Sequence, residues 1–257
     1  ALSRAPRDVA RFLNVAYGIY RGDSKWVAPL LMDLKKVFLD RNPFFEHASM
    51  QLWVAVREGR DVGRIAAIED RSFNLRQPVS SAYFGFFESI ESVEVSDALF
   101  RAVTVWATER GHVRLLGPMN PSSNDECGLL VEGFDREPVF MMPYNPRYYL
   151  DLVTRAGFQK SKDLIAFDID LRQTPMQRLE RVAARYAKRQ SDIRFRPVRR
   201  KTLRADLAKV KEIYNEAWDD NWGFVPMTDG EIDFMAERLK PMLAEGLVWL
   251  AETEGEP

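Results

Sequence analysis

The sequence predicts an α/β protein of the α+β type, in which a mixed, mainly antiparallel sheet is flanked by helices. Three observations lead to this prediction: two amphipathic helical segments come first, three strand-like segments follow, and a long helix precedes a short buried strand. The 257 residues are 46% hydrophobic, which is enough to bury a core.

The first helix is predicted for residues 7–21, because Val9, Phe12, Leu13 and Ala16 recur at helical spacing. A second, shorter helix is predicted within WVAPLLMDLKKVFLD. The two strands of QLWVAVREGRDVGRIAAIED, joined by a turn, and the aromatic strand SAYFGFFESI then favour an antiparallel meander.

A long helix is predicted from Ser96 to Gly111, capped by Ser96 or Asp97, and VRLLGP reads as a short buried strand after it. Asn145 and Pro146 begin another helix, RYYLDLVTRAGF. The apolar stretch KDLIAFDIDL is predicted to close this unit as a strand.

The following segment, TPMQRLERVAARYAKRQSD, is predicted to be a basic helix. Residues 172–204 contain twelve Lys or Arg against Glu180 and Asp192, a local excess of +10. This run lacks the interleaved aromatic residues of a nucleic-acid stacking surface, so we interpret it as a solvated linker helix. A strand, two helices and a strand follow it.

An internal repeat is indicated by a shift of 196 residues, which superposes eight identical residues in 34 positions. Two of these identities are tryptophan pairs, Trp26 with Trp222 and Trp53 with Trp249. The remaining pairs are Asp33/Asp229, Phe38/Phe234, Ala48/Ala244, Ala55/Ala251, Glu58/Glu254 and Gly59/Gly255. The predicted organisation is a first domain over residues 1–171, a linker over 172–191 and the start of a second domain over 192–257, so we expect a fragment of a longer protein.

The composition argues against several classes of function. A formal charge of −1 gives no overall field for nucleic acid or a membrane surface, and neither partner is expected. One cysteine and two distant histidines predict no disulfide and no metal site. With no apolar signal core and no spanning run, a cytoplasmic location is expected.

The segments RGDSKWVAPL, NPFFEHA, VGRIAAI, FGFFE, GPMNPSSNDECGLLVEGFD and MMPYNPRYY resemble a bacterial family of tandem GNAT-like proteins, related to N-acetyltransferases. The resemblance covers nearly the whole chain and implies the GNAT fold. In active members, a glycine-rich RxxGxG turn before the long helix holds the pyrophosphate of acyl-CoA on backbone N–H groups.

In this chain the resemblance places Glu91 where the arginine of that turn belongs, Glu94 at its first glycine and Ser96 at its last. Two carboxylates would oppose phosphate binding. The first domain is therefore predicted to have a degenerate coenzyme A turn, and acetyl-CoA or another acyl-CoA is expected to bind in the second domain of the intact protein.

Two residues are candidates for catalysis by the same resemblance. Glu88 lies at the strand end where GNAT enzymes place a general base, and the alternative is a strand-end carboxylate that caps a helix or meets solvent. Tyr149 lies in the helix that carries the general acid, but about one turn early, so core packing is the alternative. Cys127 has no histidine nearby and is interpreted as a structural thiol.

Four residues are candidates for binding the acceptor. Asn120 and Asn124 follow the fifth strand of the implied fold, beside the cleft where its strands separate. Trp218 and Trp222 lie between two helices of the second copy, in a region that lines the acceptor site of GNAT enzymes.

The leading hypothesis is an N-acyltransferase that moves an acetyl group from acetyl-CoA to a small-molecule or peptide amine, with activity, if any, in the second domain. This fragment alone is expected to be inactive. The alternatives are a noncatalytic binding or scaffold protein with the same fold and an aminoacyl transferase that uses tRNA.

Overall fold

The computed structural model describes residues 1–170, 172, 176–189, 193–240 and 246–253. The chain divides into two compact units. The first consists of Ala1–Ser161 with Asp220–Val225, and the second of Lys162–Asp219 with Pro226–Pro257. Each unit is described separately.

The first unit begins with helices, continues with a meander and ends with a long loop and a helix. Its elements are α1 (Pro6–Ile19), α2 (Leu31–Val37), α3 (Phe44–His47), β1 (Ala48–Arg57), β2 (Arg60–Asp70), α4 (Arg71–Leu75), β3 (Ser81–Ser89), α5 (Val93–Glu109), β4 (Arg114–Leu116), β5 (Met119–Asn120), β6 (Glu126–Cys127) and α6 (Tyr148–Arg155).

The main sheet has four strands in the order β1-β2-β3-β4. The first two pairings are antiparallel, whereas β4 runs parallel to β3. The predicted mixed, mainly antiparallel sheet flanked by helices is therefore confirmed.

Each face of this sheet is covered by different helices, because side chains alternate along the strands. On one face Phe12 of α1 and Phe38, which caps the end of α2, pack with Ile68 and Phe86. On the other face α5 and α6 pack with Ile65, Phe84 and Phe87. Both faces of β3 are consequently buried, and only Glu88 of this strand is partly exposed.

The second unit contains α7 (Met176–Arg189), β7 (Ile193–Pro197), α8 (Leu203–Trp218), α9 (Asp229–Leu239) and β8 (Trp249–Thr253). Strands β7 and β8 pair antiparallel. Thr228 caps α9 through a reciprocal capping box with Glu231.

Two predicted elements differ from the structure. The long helix begins at Val93 rather than Ser96, because the hydroxyl of Ser92 caps it by accepting from the N–H of Val95. Residues 162–170 form no strand, and their apolar side chains, including Ile165 and Phe167, are exposed. The alternating pattern of that stretch has no strand beside it to pair with among the described residues.

The repeat and the domain boundaries stay predictions. Of the superposed pairs, Asp33 and Asp229 both lie in helices, and Trp53 and Trp249 both lie in strands. Three of the matched residues, Ala244, Glu254 and Gly255, lie outside the described residues.

Candidate functional site

The candidate site lies where the parallel pairing between β3 and β4 ends. The parallel pairing covers only Ser81–Tyr83 with Arg114–Leu116. Beyond it, β5 lies so close to β3 that a Cβ atom on Gly85 would be 1.7 Å from the carbonyl oxygen of Met119. Only glycine allows this approach.

A bulge in β3 turns its last residues toward the site. Ala66 of β2 pairs with Gly85, but Arg64 pairs with Glu88, so Ile65 lies opposite two residues. Phe86 in the bulge has φ +50°. Its N–H donates to Oδ1 of Asn120 at 2.6 Å rather than to β2.

Glu88 follows the bulge and is bonded from both sides of the sheet. Its Oε1 accepts from Arg64 at 3.3 Å, and its Oε2 accepts from the hydroxyl of Tyr149 at 2.7 Å. Arg64 is 5% exposed and also donates to the carbonyl oxygens of Phe12 and Leu13 in α1. Both carboxylate oxygens of Glu88 are thus occupied by buried donors.

Two tyrosines of α6 fix the end of β3. The N–H of Ser89 donates to the Tyr149 hydroxyl at 2.9 Å, and the Tyr148 hydroxyl donates to the Ser89 carbonyl at 2.8 Å. Tyr149 is 1% exposed and Ser89 is fully buried. The hydroxyl of Tyr149 therefore joins the backbone of β3 to the carboxylate of Glu88.

The burial of this group changes its acid–base behaviour. Burial raises the pKa of Glu88, while Arg64, Tyr149 and Tyr20 act in the opposite direction. Burial and the neighbouring Glu88 also raise the pKa of Tyr149 and of Tyr20 well above the usual value, so both hydroxyls keep their protons.

A second carboxylate, Glu126, is held beside the first by the short β5–β6 hairpin, in which Asn120 pairs with Glu126. Its Oε1 accepts a long hydrogen bond, 3.4 Å, from Nδ2 of Asn120. Burial, and then the charge of Glu88, raises the pKa of Glu126 to about 7. No cation is paired with Glu126 among the described residues.

We call Arg64, Glu88, Glu126, Tyr149 and Tyr20 the carboxylate–tyrosine cluster. Its aromatic side is continued by Trp26, which stacks on Tyr20 with ring centroids 4.8 Å apart. The Tyr144 hydroxyl donates to Asp23 at 2.8 Å, and the Tyr20 hydroxyl donates to the Tyr144 carbonyl at 3.3 Å. These contacts attach residues 20–26 to the loop before α6.

The predicted coenzyme A turn has a different geometry from the one expected. Because α5 begins at Val93, Glu94 and Ser96 belong to its first turn, and the N–H of Ser96 donates to the carbonyl of Ser92. Glu94 pairs with Arg57 at 2.6 Å, and Glu91 is exposed. The Ser92 cap and the two carboxylates leave little for a phosphate to bind.

The acceptor candidates lie in different places. Asn120 belongs to the site, where it contacts Phe86 and Glu126, whereas Nδ2 of Asn124 donates to the carbonyl of Val225. Trp218 and Trp222 are about half exposed. Of the sequence candidates, the structure thus brings together Glu88, Tyr149 and Asn120.

Cys127 is half-buried and burial raises the pKa of its thiol, which is consistent with an unreactive cysteine. Within the described ranges, no three His, Cys, Asp or Glu side chains are grouped so that they could hold a metal ion. None of the described helices is both long and apolar enough to cross a membrane.

Sequence reasoning missed Arg64, Tyr20 and Glu126. Arg64 gave a usable signal, because a charged residue within the apolar strand VGRIAAI needs a buried partner. The other two gave none, since Tyr20 occupies a helical apolar position and Glu126 lies in a loop whose path depends on the fold.

Two curated proteins are similar in sequence to nearly the whole chain. The chain is 35% identical over 259 residues to the "Bacterial ceramide synthase" of Caulobacter vibrioides, a match that covers 98% of this chain and 66% of the relative. It is 31% identical over 253 residues to "Protein YghO" of Escherichia coli, covering 97% of this chain and 64% of that protein. The chain therefore spans somewhat less than two thirds of the length of these curated relatives.

No protein-family model matches the chain. A crystal structure of a probable acetyltransferase matches 64% of this chain and 91% of its own at 15% identity, with a TM-score of 0.34. The named relatives and the mixed sheet support a GNAT-like acyltransferase family.

Proposed function

We propose that the whole protein is an N-acyltransferase, which moves an acyl group from a thioester to an amine. The observation that carries this proposal is the position of Glu126, which Asn120 links to β3 close enough to Glu88 for that carboxylate to raise its pKa. The similarity to a bacterial ceramide synthase along nearly the entire chain supports it.

The chemistry needs two proton transfers. The amine nitrogen attacks the carbonyl carbon of the thioester, a C–N bond forms and the C–S bond breaks. The proton that the amine loses needs a base, and the departing thiolate takes up a proton. A carboxylate with a pKa of about 7, as for Glu126, is suited to accept the amine proton at neutral pH.

Within this proposal Glu126 accepts the proton, Asn120 holds its carboxylate, and the charge of Glu88 raises its pKa. Both oxygens of Glu88 are occupied by Arg64 and Tyr149, so its carboxylate has little capacity left for substrate. Its negative charge nevertheless raises the pKa of Glu126. The expected role of general base thus moves from Glu88 to Glu126, and Tyr149 becomes a residue that positions Glu88.

The donor is proposed only as an acyl thioester. The residues around Ser92 do not fit the pyrophosphate of coenzyme A, because the N-terminal cap is occupied by a hydroxyl and flanked by Glu91 and Glu94. Acetyl-CoA or a longer acyl-CoA would therefore bind elsewhere in the whole protein. Because one relative is named a ceramide synthase, a long-chain amine is the first acceptor to test.

The test uses the whole protein with acetyl-CoA or palmitoyl-CoA and a long-chain or short-chain amine, and detects the amide by mass spectrometry. Glu126→Gln keeps the shape and hydrogen bonding of the side chain but removes the base. We expect it to lower the turnover by about 100-fold or more. The matched control is Glu132→Gln in an exposed part of the same loop. Unchanged turnover in the Glu126 variant would exclude the proposed role.

A noncatalytic scaffold is the second candidate, because the N–H of Phe86, beyond the end of the β3–β4 pairing, already donates to Asn120 of the same chain. Under this hypothesis the whole protein forms no amide with any donor and shows no heat of binding to an acyl thioester in calorimetry. Amide formation that depends on Glu126 would exclude it.

A further inference from the structure

In helix α7, residues 176–186 are all exposed, including the apolar ones. Its apolar residues Met176, Leu179, Val182 and Tyr186 are 49%, 52%, 52% and 62% exposed. At 100° per residue they fall within an arc of about 120°, so they form one continuous stripe. We call these four side chains the apolar stripe. A solvated linker helix has no need for such a stripe, so the sequence-based interpretation leaves it unexplained.

The side of α7 next to the apolar stripe is strongly basic. Arg178, Arg181 and Arg185 are exposed and fall within an arc of about 60°, which adjoins the apolar stripe at Arg178. The only acidic residue of the helix is Glu180. An apolar face beside a basic face is the pattern of helices that lie in the plane of a membrane surface.

We propose that α7 is a peripheral binding surface for an anionic lipid bilayer. In this arrangement the apolar stripe enters the boundary between headgroups and acyl chains, and the arginines extend along the surface to contact lipid phosphates. Tyr186 lies near the middle of the stripe, where its ring can be buried while its hydroxyl stays hydrated. The expectation of no membrane partner rested on the overall charge, which hides this local excess.

Two other binding partners, RNA and a second copy of the protein, would each suit only one of the two faces of α7. RNA would use the arginines but leave the apolar stripe in water, and the helix has one aromatic residue for stacking. A second copy of α7 would cover the stripe but bring two basic faces together, with only Glu180 on each helix to compensate. A bilayer with anionic lipids satisfies both faces at once.

The experiment measures flotation of the whole protein with phosphatidylcholine vesicles and with vesicles that contain equal parts of phosphatidylcholine and phosphatidylglycerol. We expect binding to the anionic vesicles only, weakened by salt. Two variants separate the faces: Leu179→Gln with Val182→Gln removes apolar contact, and Arg181→Gln with Arg185→Gln removes charge. Each is expected to lower the vesicle-bound fraction about tenfold or more.

The matched control removes two positive charges elsewhere, by Lys35→Gln with Arg101→Gln, and should bind as the unchanged protein does. Circular dichroism and a thermal melt verify that each variant folds. Two results would overturn the proposal: no vesicle binding by the unchanged protein, or an equal loss of binding in the control. If vesicle binding is absent, salt-dependent tRNA binding that needs Arg181 and Arg185 would assign the helix to RNA. Oligomers that are lost in the Leu179/Val182 variant would instead assign the stripe to a second copy.

Discussion

The two units each contain an arginine–glutamate contact, but the two carboxylates are shifted in opposite directions. In the first unit Arg64 makes one contact of 3.3 Å to Glu88, whose side chain is 12% exposed, and burial raises the pKa of the carboxyl. In the second unit Arg196 binds Glu252 through two bonds of 2.8 and 2.9 Å. These bonds, with a further one from Lys209, lower the pKa of Glu252 to about 2.

The difference shows that the geometry of an arginine–glutamate contact decides whether the pKa of the glutamate is lowered or raised. The carboxylate of Glu252 accepts two short bonds from Arg196 and one from Lys209, so it is stabilised as an anion that joins β8 to β7 and to α8. Glu88 has only one longer bond to a cation, and its second bond comes from the neutral Tyr149 hydroxyl, so the charge of this largely buried carboxylate is less well compensated. Carboxylates whose pKa is raised in this way are found more often in binding and catalytic sites than in ion pairs that only stabilise a sheet.

The two units also share a backbone hydrogen bond at equivalent positions. The N–H of Leu2 donates to the carbonyl of Leu52 at 2.7 Å, and the N–H of Val198 donates to the carbonyl of Val248 at 2.9 Å. The same shift of 196 residues relates both donors and both acceptors. This recurrence supports the tandem repeat, which we keep as a proposal.

The largest expected effect is on stability after Arg64→Met. The variant leaves Glu88 buried without its cation, and breaking a buried pair costs about 3 kcal/mol of unfolding free energy. Urea denaturation at pH 7 measures it. Adding Glu88→Gln should recover most of the loss, since the amide oxygen still accepts from Tyr149. A double variant as unstable as the single one would show that Arg64 acts through packing alone.

Next in size is Tyr149→Phe, which removes the bond to Glu88 and leaves the buried N–H of Ser89 without an acceptor. We expect a loss of about 2 kcal/mol, measured by urea denaturation. Tyr148→Phe, which removes one bond at the same residue, is the control and should cost about half as much. Equal losses of unfolding free energy in the two variants would mean that the contact between Tyr149 and Glu88 does not contribute to stability.

A smaller effect concerns the pH dependence that Glu126 imposes. A folded-state pKa of about 7, above the ordinary 4.5, means that the folded protein binds the proton more tightly than the unfolded chain. The free energy of unfolding should therefore fall as pH rises from about 5 to about 7. Glu126→Gln should remove about 1 to 2 kcal/mol of this fall. A series of denaturation curves across this range checks it, and an unchanged slope would contradict the raised pKa.

The smallest effect is expected for Glu252→Gln in the second unit, and its sign is opposite. Because the folded pKa of about 2 lies below the ordinary 4.5, Glu252 stabilises the fold at neutral pH and loses this effect as pH falls toward 2. The variant should be slightly less stable than the unchanged protein at pH 7 and equal to it near pH 2. Thermal melts at both pH values measure the difference.

Much of the fold follows from sequence periodicity. The residues VARFLNVAY place apolar side chains on one face of a helix, and SAYFGFFES can only be a strand buried on both faces, so α1 and β3 were predictable. The stretch at residues 162–170 has an equally regular pattern and forms no strand. A strand needs a partner strand as well as a pattern, and the sequence of the strand does not contain that information.

The candidate site divides in the same way. The order of the amino acids is enough to show that Glu88 ends an aromatic strand, that Arg64 interrupts an apolar strand and that Asn120 and Glu126 follow a buried strand. That these residues meet depends on the folded chain, because the bulge at Phe86 and the close approach at Gly85 bring distant segments into contact. The pKa of Glu126 depends on that meeting, since burial and the charge of a neighbour exist only in the folded protein.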